Sequence, residues 1–575
     1  MRGPRLRAVP ALALMVALTA CGPVATPSGR GAAASAPATP RRITVTMMDD
    51  PVVMSSKLSA PSVRGSDALE ELVNVGLATL DHSGSLIPML GEAVPSLENG
   101  LWTLLSDGGM QTTYRIRDGA RWHDGQPLTS ADLVFTAAVA HDREVPELRD
   151  PAFDSVASVD APDARTVVVR WSKPYVDADA LFTRAGATRA RTLPLPAHIL
   201  QESYGDDKGS LTQLPYWSTE FVGTGPFKLA SWEPGTSITL QASDVYVLGR
   251  PKIDEIEVRF IPDPNALVAN VLAGSIDFTL GRGLSLEQAI LMRDQWKDGR
   301  MVASPSNWIM VWPQFINPSP SIVGDVRFRR AMLEAIDRQA MVDTFVAGMS
   351  SVAHTYLSPT DPNYQTVAAD VVRYPFDPQA AAQAIEARGY SPGTDSMLRD
   401  AANQPLRVEI RTTTGDTLRE RIHLAIADAW QRVGVGVDTV VVSRQQAQDQ
   451  EYRAQFPAFE LSRNPNTLRD LPNLHSRAAR LPENNFHGTG GTNYSRYTSP
   501  VFDTLIDQYF VTIPLPERLA VAHQIVSIIA DQVTALGILY ATDQNMIANR
   551  IQKAYGRAEG STETWNAYQW EIAAP

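Results

Sequence analysis

The sequence is poor in cysteine, in clustered positive charge and in long apolar runs, and each shortage removes a class of function. Of 575 residues only Cys21 is a cysteine, so the chain alone closes no disulfide and builds no cysteine-rich zinc site. Basic residues are outnumbered, with 51 Lys+Arg against 63 Asp+Glu and a formal net charge of -12. A surface that grips nucleic acid through its phosphates needs Lys and Arg in clusters, so no nucleic-acid partner is expected. The nine histidines are scattered with no i, i+4 pair, and no metal site is expected. There is no G-x-S-x-G elbow, no H-E-x-x-H pair and no G-x-x-x-x-G-K-[ST] loop. GTGPFK at 223–228 and HGTGGTN at 487–493 lack the glycine spacing of a dinucleotide loop. Neither catalysis nor a cofactor is expected. Beyond residue 40 no charge-free apolar run reaches the roughly 20 residues that cross a bilayer, so that part of the chain is expected to be soluble.

What is present begins at the N-terminus. MRGPRLR places three arginines before the apolar run AVPALALMVALTA, a signal-peptide pattern over residues 1–20. The stretch Leu18-Thr19-Ala20-Cys21 resembles the lipobox of bacterial lipoproteins, in which the cysteine is lipidated, with palmitate among the attached chains, and becomes the first mature residue. Residues 21–40 are small, Gly, Ser and Pro rich, and have almost nothing to bury, so they are expected to form a flexible tether. The protein is thus expected on the extracytoplasmic face of the cell membrane, anchored by lipid at Cys21. The remainder is too long for one core, and its 44% hydrophobic and 20% charged content is ordinary for a globular chain of two or three lobes.

Folded structure is expected from Ile43, where ITVTMM has the β-branched content of a strand. SDALEELVNVGLATL sets Leu69, Leu72, Val73 and Leu80 at helical spacing behind Ser66 as a cap. MQTTYRIRD and RTVVVRW alternate as strands, and TSADLVFTAAVA opens a helix at Thr129 or Ser130. Glu233-Pro234-Gly235 between two β-rich runs predicts a hairpin, since Pro presets φ and Gly accepts positive φ. VRFRRAMLEAIDRQAMVDTFVAG predicts a helix capped by Asp325 and stopped at Gly348, and DPQAAAQAIEARGY one that runs from Asp377 to Gly389. Residues 406–443 predict a βαβ unit.

The stretch YRIRDGARWHDGQPLTSADLVF, 114–135, sets His123 beside Asp124 in a glycine-flanked loop. Half of an acid/base site and plain turn scaffolding are both compatible with that pair, and no third partner is evident in the sequence. The same stretch resembles the signature of the family 5 solute-binding proteins of ATP-driven importers, which bind dipeptides, oligopeptides or nickel. VGTGPFKLASWEPGTSITL (222–240), PKIDEIEVRFIPDPNALVANVLAGSID (251–277), DVRFRRAMLEAIDRQAMV (325–342) and YPFDPQAAAQAIEARGY (374–390) are similar to further family blocks, in family order.

The resemblance implies an α/β, two-lobed clamp of the type II periplasmic-binding-protein class (cluster C) with an extra inserted domain. It implies domain I from 41–80, 206–305 and 536–575, domain II from 81–205 and domain III from 306–535, with His123 and Asp124 as scaffold. It further implies a monomer that delivers a solute, most often a peptide, to permease and ATPase subunits. Peptide binders of the family commonly pair an acidic domain III residue with the peptide amino terminus, but Arg463 and Asn464 stand in that stretch and Asp470 follows later. An oligosaccharide or other small polar solute, and a receptor-type clamp that feeds no importer, remain alternatives. Candidate ligand contacts are Trp308 and Trp312, which face one side of a strand, with Arg463, Asn464, Asn466, Asn493 and Tyr494; core packing is the competing role for both tryptophans.

Overall fold

Two long strands organise the molecule. In the computed structural model, which describes residues 40–60, 63–184, 192–281, 283–443, 445–487 and 493–573, Gly299–Pro313 and Leu536–Ala548 run antiparallel through the middle of a ten-stranded sheet. Cys21, the signal peptide and all but the last residue of the tether lie outside the described residues. Each long strand serves two bodies. The Gly299 end pairs with Ala548, whose neighbour Ile547 meets Phe278 and so joins the strands Arg42–Met47, Glu255–Phe260, Ser237–Ala242 and Phe227–Glu233. The Trp308–Pro313 end pairs with Phe459–Asn464, which joins Arg407–Thr413 and Gly436–Val442. A register shift between Pro305 and Trp308 falls midway, where Pro305 has no N–H to give the ladder.

Separate apolar cores flank this crossing. One gathers Ile43, Val45, Leu72, Ile256, Val258 and Phe278, and another gathers Ile309, Val311, Phe328, Ile410, Ile426 and Trp430. A third body is a four-stranded antiparallel sheet in the order Trp102–Leu104, Met110–Arg115, Thr166–Trp171, Val156–Asp163. Its strands alternate as the sequence pattern requires, with Val167, Val169 and Trp171 buried opposite Met110, Thr112 and Tyr114. The helix Ser130–His141 covers it, entered through a capping box of Thr129 and Asp132.

The Glu233-Pro234-Gly235 hairpin forms, with Gly235 at φ 72° and the Thr236 N–H donating to the Glu233 carbonyl at 2.9 Å. The 406–443 stretch forms the predicted parallel pair around the helix Thr417–Arg432. Two expectations change. Leu80 lies in the short strand Ala78–Leu80, because the helix begins at Ser66 with Gly65 as its cap and stops at Val73. A helix could not continue past Gly76, whose Cβ would stand 2.3 Å from the Phe182 carbonyl oxygen. The 326–345 region is two helices, Val326–Glu334 and Arg338–Phe345, since Asp337 turns its carboxylate to the Ala340 N–H and caps a new start. Among the described residues no helix is long and apolar enough to cross a membrane.

Candidate functional site

A cavity of about 180 Å³ opens where the three bodies meet. The four-stranded body supplies Asp177 and Asp179, which lie beyond the strand Thr166–Trp171. The body built on Trp308–Pro313 supplies Asp361, Asn466, Arg469 and Arg518, and the C-terminal segment supplies Glu559. The bodies touch across it. Arg469 Nε reaches Asp177 Oδ1 at 2.9 Å, and Pro362 Cδ lies 3.6 Å from where a Cβ on Gly84 would be.

The charges in this space are unequal in their satisfaction. Asp177 is paired with Arg469, and Asp470 behind the wall accepts from the Thr467 N–H in a capping box. Asp361 accepts from the Asn363 N–H at 2.8 Å. By contrast, Asp179 Oδ1 and Glu559 Oε1 are buried atoms without a hydrogen-bond partner among the described residues. Burial pushes the Asp179 carboxyl up to about 6, against the pull of Arg469, and pushes the Glu559 carboxyl up to about 8, with the Asp470 charge adding to it. Asn466 is 1% exposed and donates its Nδ2 to the Tyr356 carbonyl at 3.0 Å, and its Oδ1 has no hydrogen-bond partner among the described residues. Among the described residues no group of three His, Cys, Asp or Glu is arranged to hold a metal ion.

Of the candidate contacts read from the sequence, Asn466 alone lines this cavity. Trp308 and Trp312 do share one face of their strand, but it is the face that packs into a core with Met310, Tyr356 and Ile525, and each is 2% exposed. Both rings are packed in that core and neither lines the cavity, so the stacking platform is corrected to core packing. Arg463 pairs with Asp543 at 3.1 Å and with the Ser306 hydroxyl at 3.0 Å, which ties the strand end to the crossing. Asn464 lies beside it, opposite Trp308 in the ladder. Asn493 gives its amide to the carbonyls of Leu474, His475 and Tyr497, and the Tyr494 ring lies between the guanidiniums of Arg453 and Arg480 at 4.2 and 4.3 Å. These hold the segments around Leu474 and Tyr497 in place.

His123 is placed away from the cavity. Its Nδ1 accepts from the Gly223 N–H at 3.2 Å and its Nε2 faces the Gly225 carbonyl at 3.0 Å, so the neutral ring with its proton on Nε2 ties two chain segments together. Burial lowers its pKa to about 4. Asp124 accepts from the Gln126 N–H and meets His198 Nε2 at 2.8 Å. Asp179 and Glu559, which sequence reasoning passed over, sit in loops as single acidic residues with no spacing signal to mark them.

The model of the bacterial extracellular solute-binding proteins, family 5, middle region, matches residues 92–479. The oligopeptide-binding protein AppA of Bacillus subtilis is 25% identical over 75% of this chain and 75% of its own. The solved structure of AppA with a nonapeptide aligns with a TM-score of 0.66 at 20% identity over 93% of this chain and all of that one. NikZ from Campylobacter jejuni, solved with Ni(L-His), aligns at 0.68 and 18% over the same shares. These neighbours share the two-lobed α/β clamp seen here. With more than half its length matched by the family model, the chain belongs to family 5 of the bacterial extracellular solute-binding proteins.

Proposed function

We propose that the protein captures a peptide between its lobes and presents it to the permease of an ATP-driven importer, with hydrolysis left to the partner ATPase subunits. It acts as a monomer held at the outer face of the cell membrane by lipid on Cys21. The observation that carries this reading is the cavity at the meeting of three bodies, which offers buried hydrogen-bond acceptors in a chain similar along three quarters of its length to AppA, a protein named for oligopeptide binding. Of the boundaries 41–80, 206–305 and 536–575 for domain I, 81–205 for domain II and 306–535 for domain III, the one near 305 is supported by the long strand Gly299–Pro313, which passes there to the core of Ile309 and Val311, whereas Leu536, Ile538 and Leu539 pack in that same core.

Closure follows from differential contact. A solute that touches both lobes binds the closed form better and shifts the equilibrium by that difference alone. The cavity is smaller than the roughly 300–1,000 Å³ of sites for drug-sized ligands, which favours a short peptide over a long one. Thermal unfolding of the purified protein with di- to pentapeptides, oligosaccharides and nickel tests the reading. A peptide at about 100 Kd adds roughly 2.7 kcal/mol, and stabilisation by an oligosaccharide alone would overturn it. Loss of the protein from the membrane fraction on Cys21→Ser tests the anchor.

A further inference from the structure

We infer that Asp543, Arg463 and Arg557 form a strut across the bend between the lobes and set the angle that the clamp holds without solute. The inference deepens the proposed function by naming its positioning residues, and it rests on the two-lobed clamp and not on the solute being a peptide.

The bend has a definite place in the chain. Along Leu536–Ala548, the residues Leu536, Ile538, Leu539 and Ala541 pack in the core of Ile309 and Val311, whereas Met546, Ile547 and Ala548 pack in the core of Ile43 and Val45. The stretch 542–545 between them puts no side chain into either core. Opposite it, Pro305 pairs with Thr542 and Trp308 with Tyr540, so Ser306 and Asn307 face Ala541 alone. Two residues against one make a bulge, and a bulge bends its strand where the ladder is interrupted.

Asp543 stands at that point with one oxygen for each lobe. Its Oδ1 accepts from Arg463 Nη2 at 3.1 Å, and the same Nη2 reaches the Ser306 hydroxyl at 3.0 Å. Its Oδ2 accepts from Arg557 Nη2 at 2.6 Å. Arg463 lies in the strand Phe459–Asn464 of one lobe, and Arg557 lies between Ala554 and Ala567, which pack in the core of the other. A change of angle therefore lengthens at least one of the two contacts. The side chains of Asp543 and Arg557 are 12% and 4% exposed, so solvent screens their pair little.

Each guanidinium also has a second carboxylate within its own lobe. Asp416 Oδ2 lies 3.9 Å from Arg463 Nη1, and Glu563 Oε1 lies 3.5 Å from Arg557 Nε. When the strut is drawn out, neither cation is stripped of a counter-ion, so bending avoids the penalty of a bare buried charge. Short segments join the strut to the cavity, because Asn466 and Glu559, which line it, follow closely on Arg463 and Arg557. A solute seated against those two side chains pulls on both ends of the strut.

The test needs no solute. Ser231→Cys and Thr439→Cys, exposed positions on the two outermost strands of the ten-stranded sheet, carry spin labels in the Cys21→Ser chain, and double electron–electron resonance reads the distance between them. The unaltered strut should give one narrow distance, and a broad distribution there would overturn the inference. Asp543→Asn and Arg463→Gln should each widen the distribution ~2-fold or more. Asp416→Asn removes only the second partner of Arg463 while Asn still caps the helix Thr417–Arg432, and should leave the distance narrow. A distribution unchanged in Asp543→Asn or in Arg463→Gln overturns the strut even where melting falls, because a role confined to stability moves the melting point alone. Widening by Asp416→Asn equal to theirs overturns it as well. Should Asp543→Asn fail to fold, Arg463→Gln decides by the same two outcomes. Thermal shift by peptides is read separately, so the strut and the peptide reading fail independently.

Discussion

Two sets of half-buried carboxylates differ in how completely the chain satisfies them. At the crossing of the long strands Asp543 is gripped from both sides, by Arg557 at 2.6 Å and Arg463 at 3.1 Å. In the cavity, Asp179 and Glu559 each keep a buried oxygen that no described residue meets. A carboxylate whose lone pairs are filled by the protein holds the protein together. One with a buried oxygen left unmet stores a cost that a ligand relieves, and the two kinds respond to mutation with opposite signs.

The largest effect expected from this contrast is at the crossing. Asp543→Asn takes from Arg557, whose side chain is 4% exposed, the nearer of its two carboxylates, leaving Glu563 at 3.5 Å, and should destabilise by about 2 kcal/mol in denaturant unfolding. A loss under 1 kcal/mol would erase the distinction. His123 supplies an intermediate case, a buried ionisable ring with both nitrogens met. Its folded pKa of about 4 lies below the ~6.5 of an unfolded histidine, so the unfolded state alone takes up a proton between those values. Stability should fall as pH drops from ~6.5 to ~4, by about 3 kcal/mol, and level off below. His123→Ala should remove this slope while leaving solute affinity intact.

The cavity should answer in the other direction. The folded Glu559 carboxyl keeps its proton to about 8, whereas an unfolded one loses it near 4.3, so this residue subtracts stability as pH rises through that window. Glu559→Gln should therefore raise ligand-free stability at pH 7 by about 1 kcal/mol, and a lowered melting point would count against the reading. The smallest effect belongs to Arg469→Ala, which removes a partly exposed ion pair with Asp177 and should cost under 1 kcal/mol. Its signature would be a more open molecule in small-angle scattering, since that pair joins two bodies.

Much of the fold was legible in local pattern. The caps Asp325 and Asp377, the Thr129 box and the Gly235 turn each act within a few residues, so the sequence window contains both partners. Asp337 misled because its cap competes with an unbroken apolar face, and only packing of Ala335 and Ile336 into the core decides that the helix breaks there. Trp308 and Trp312 were placed correctly on one face, but periodicity says which residues share a face and not what lies against it.

The sequence by itself determined the class of the molecule: an acidic chain without enzyme motifs, carrying ordered blocks similar to a solute-binding family and an N-terminus patterned for lipidation at Cys21. It also offered Asn466 as a candidate, a polar loop residue that lines the cavity. Only the tertiary structure decided the cavity. Asp179, Asn466 and Glu559 come from three chain segments far apart in the sequence, and no period or spacing relates them. Their chemistry depends on burial, which is a property of neighbours brought from elsewhere. The same holds for Asp543, which differs from Glu559 by the two guanidiniums that the fold happens to bring beside it.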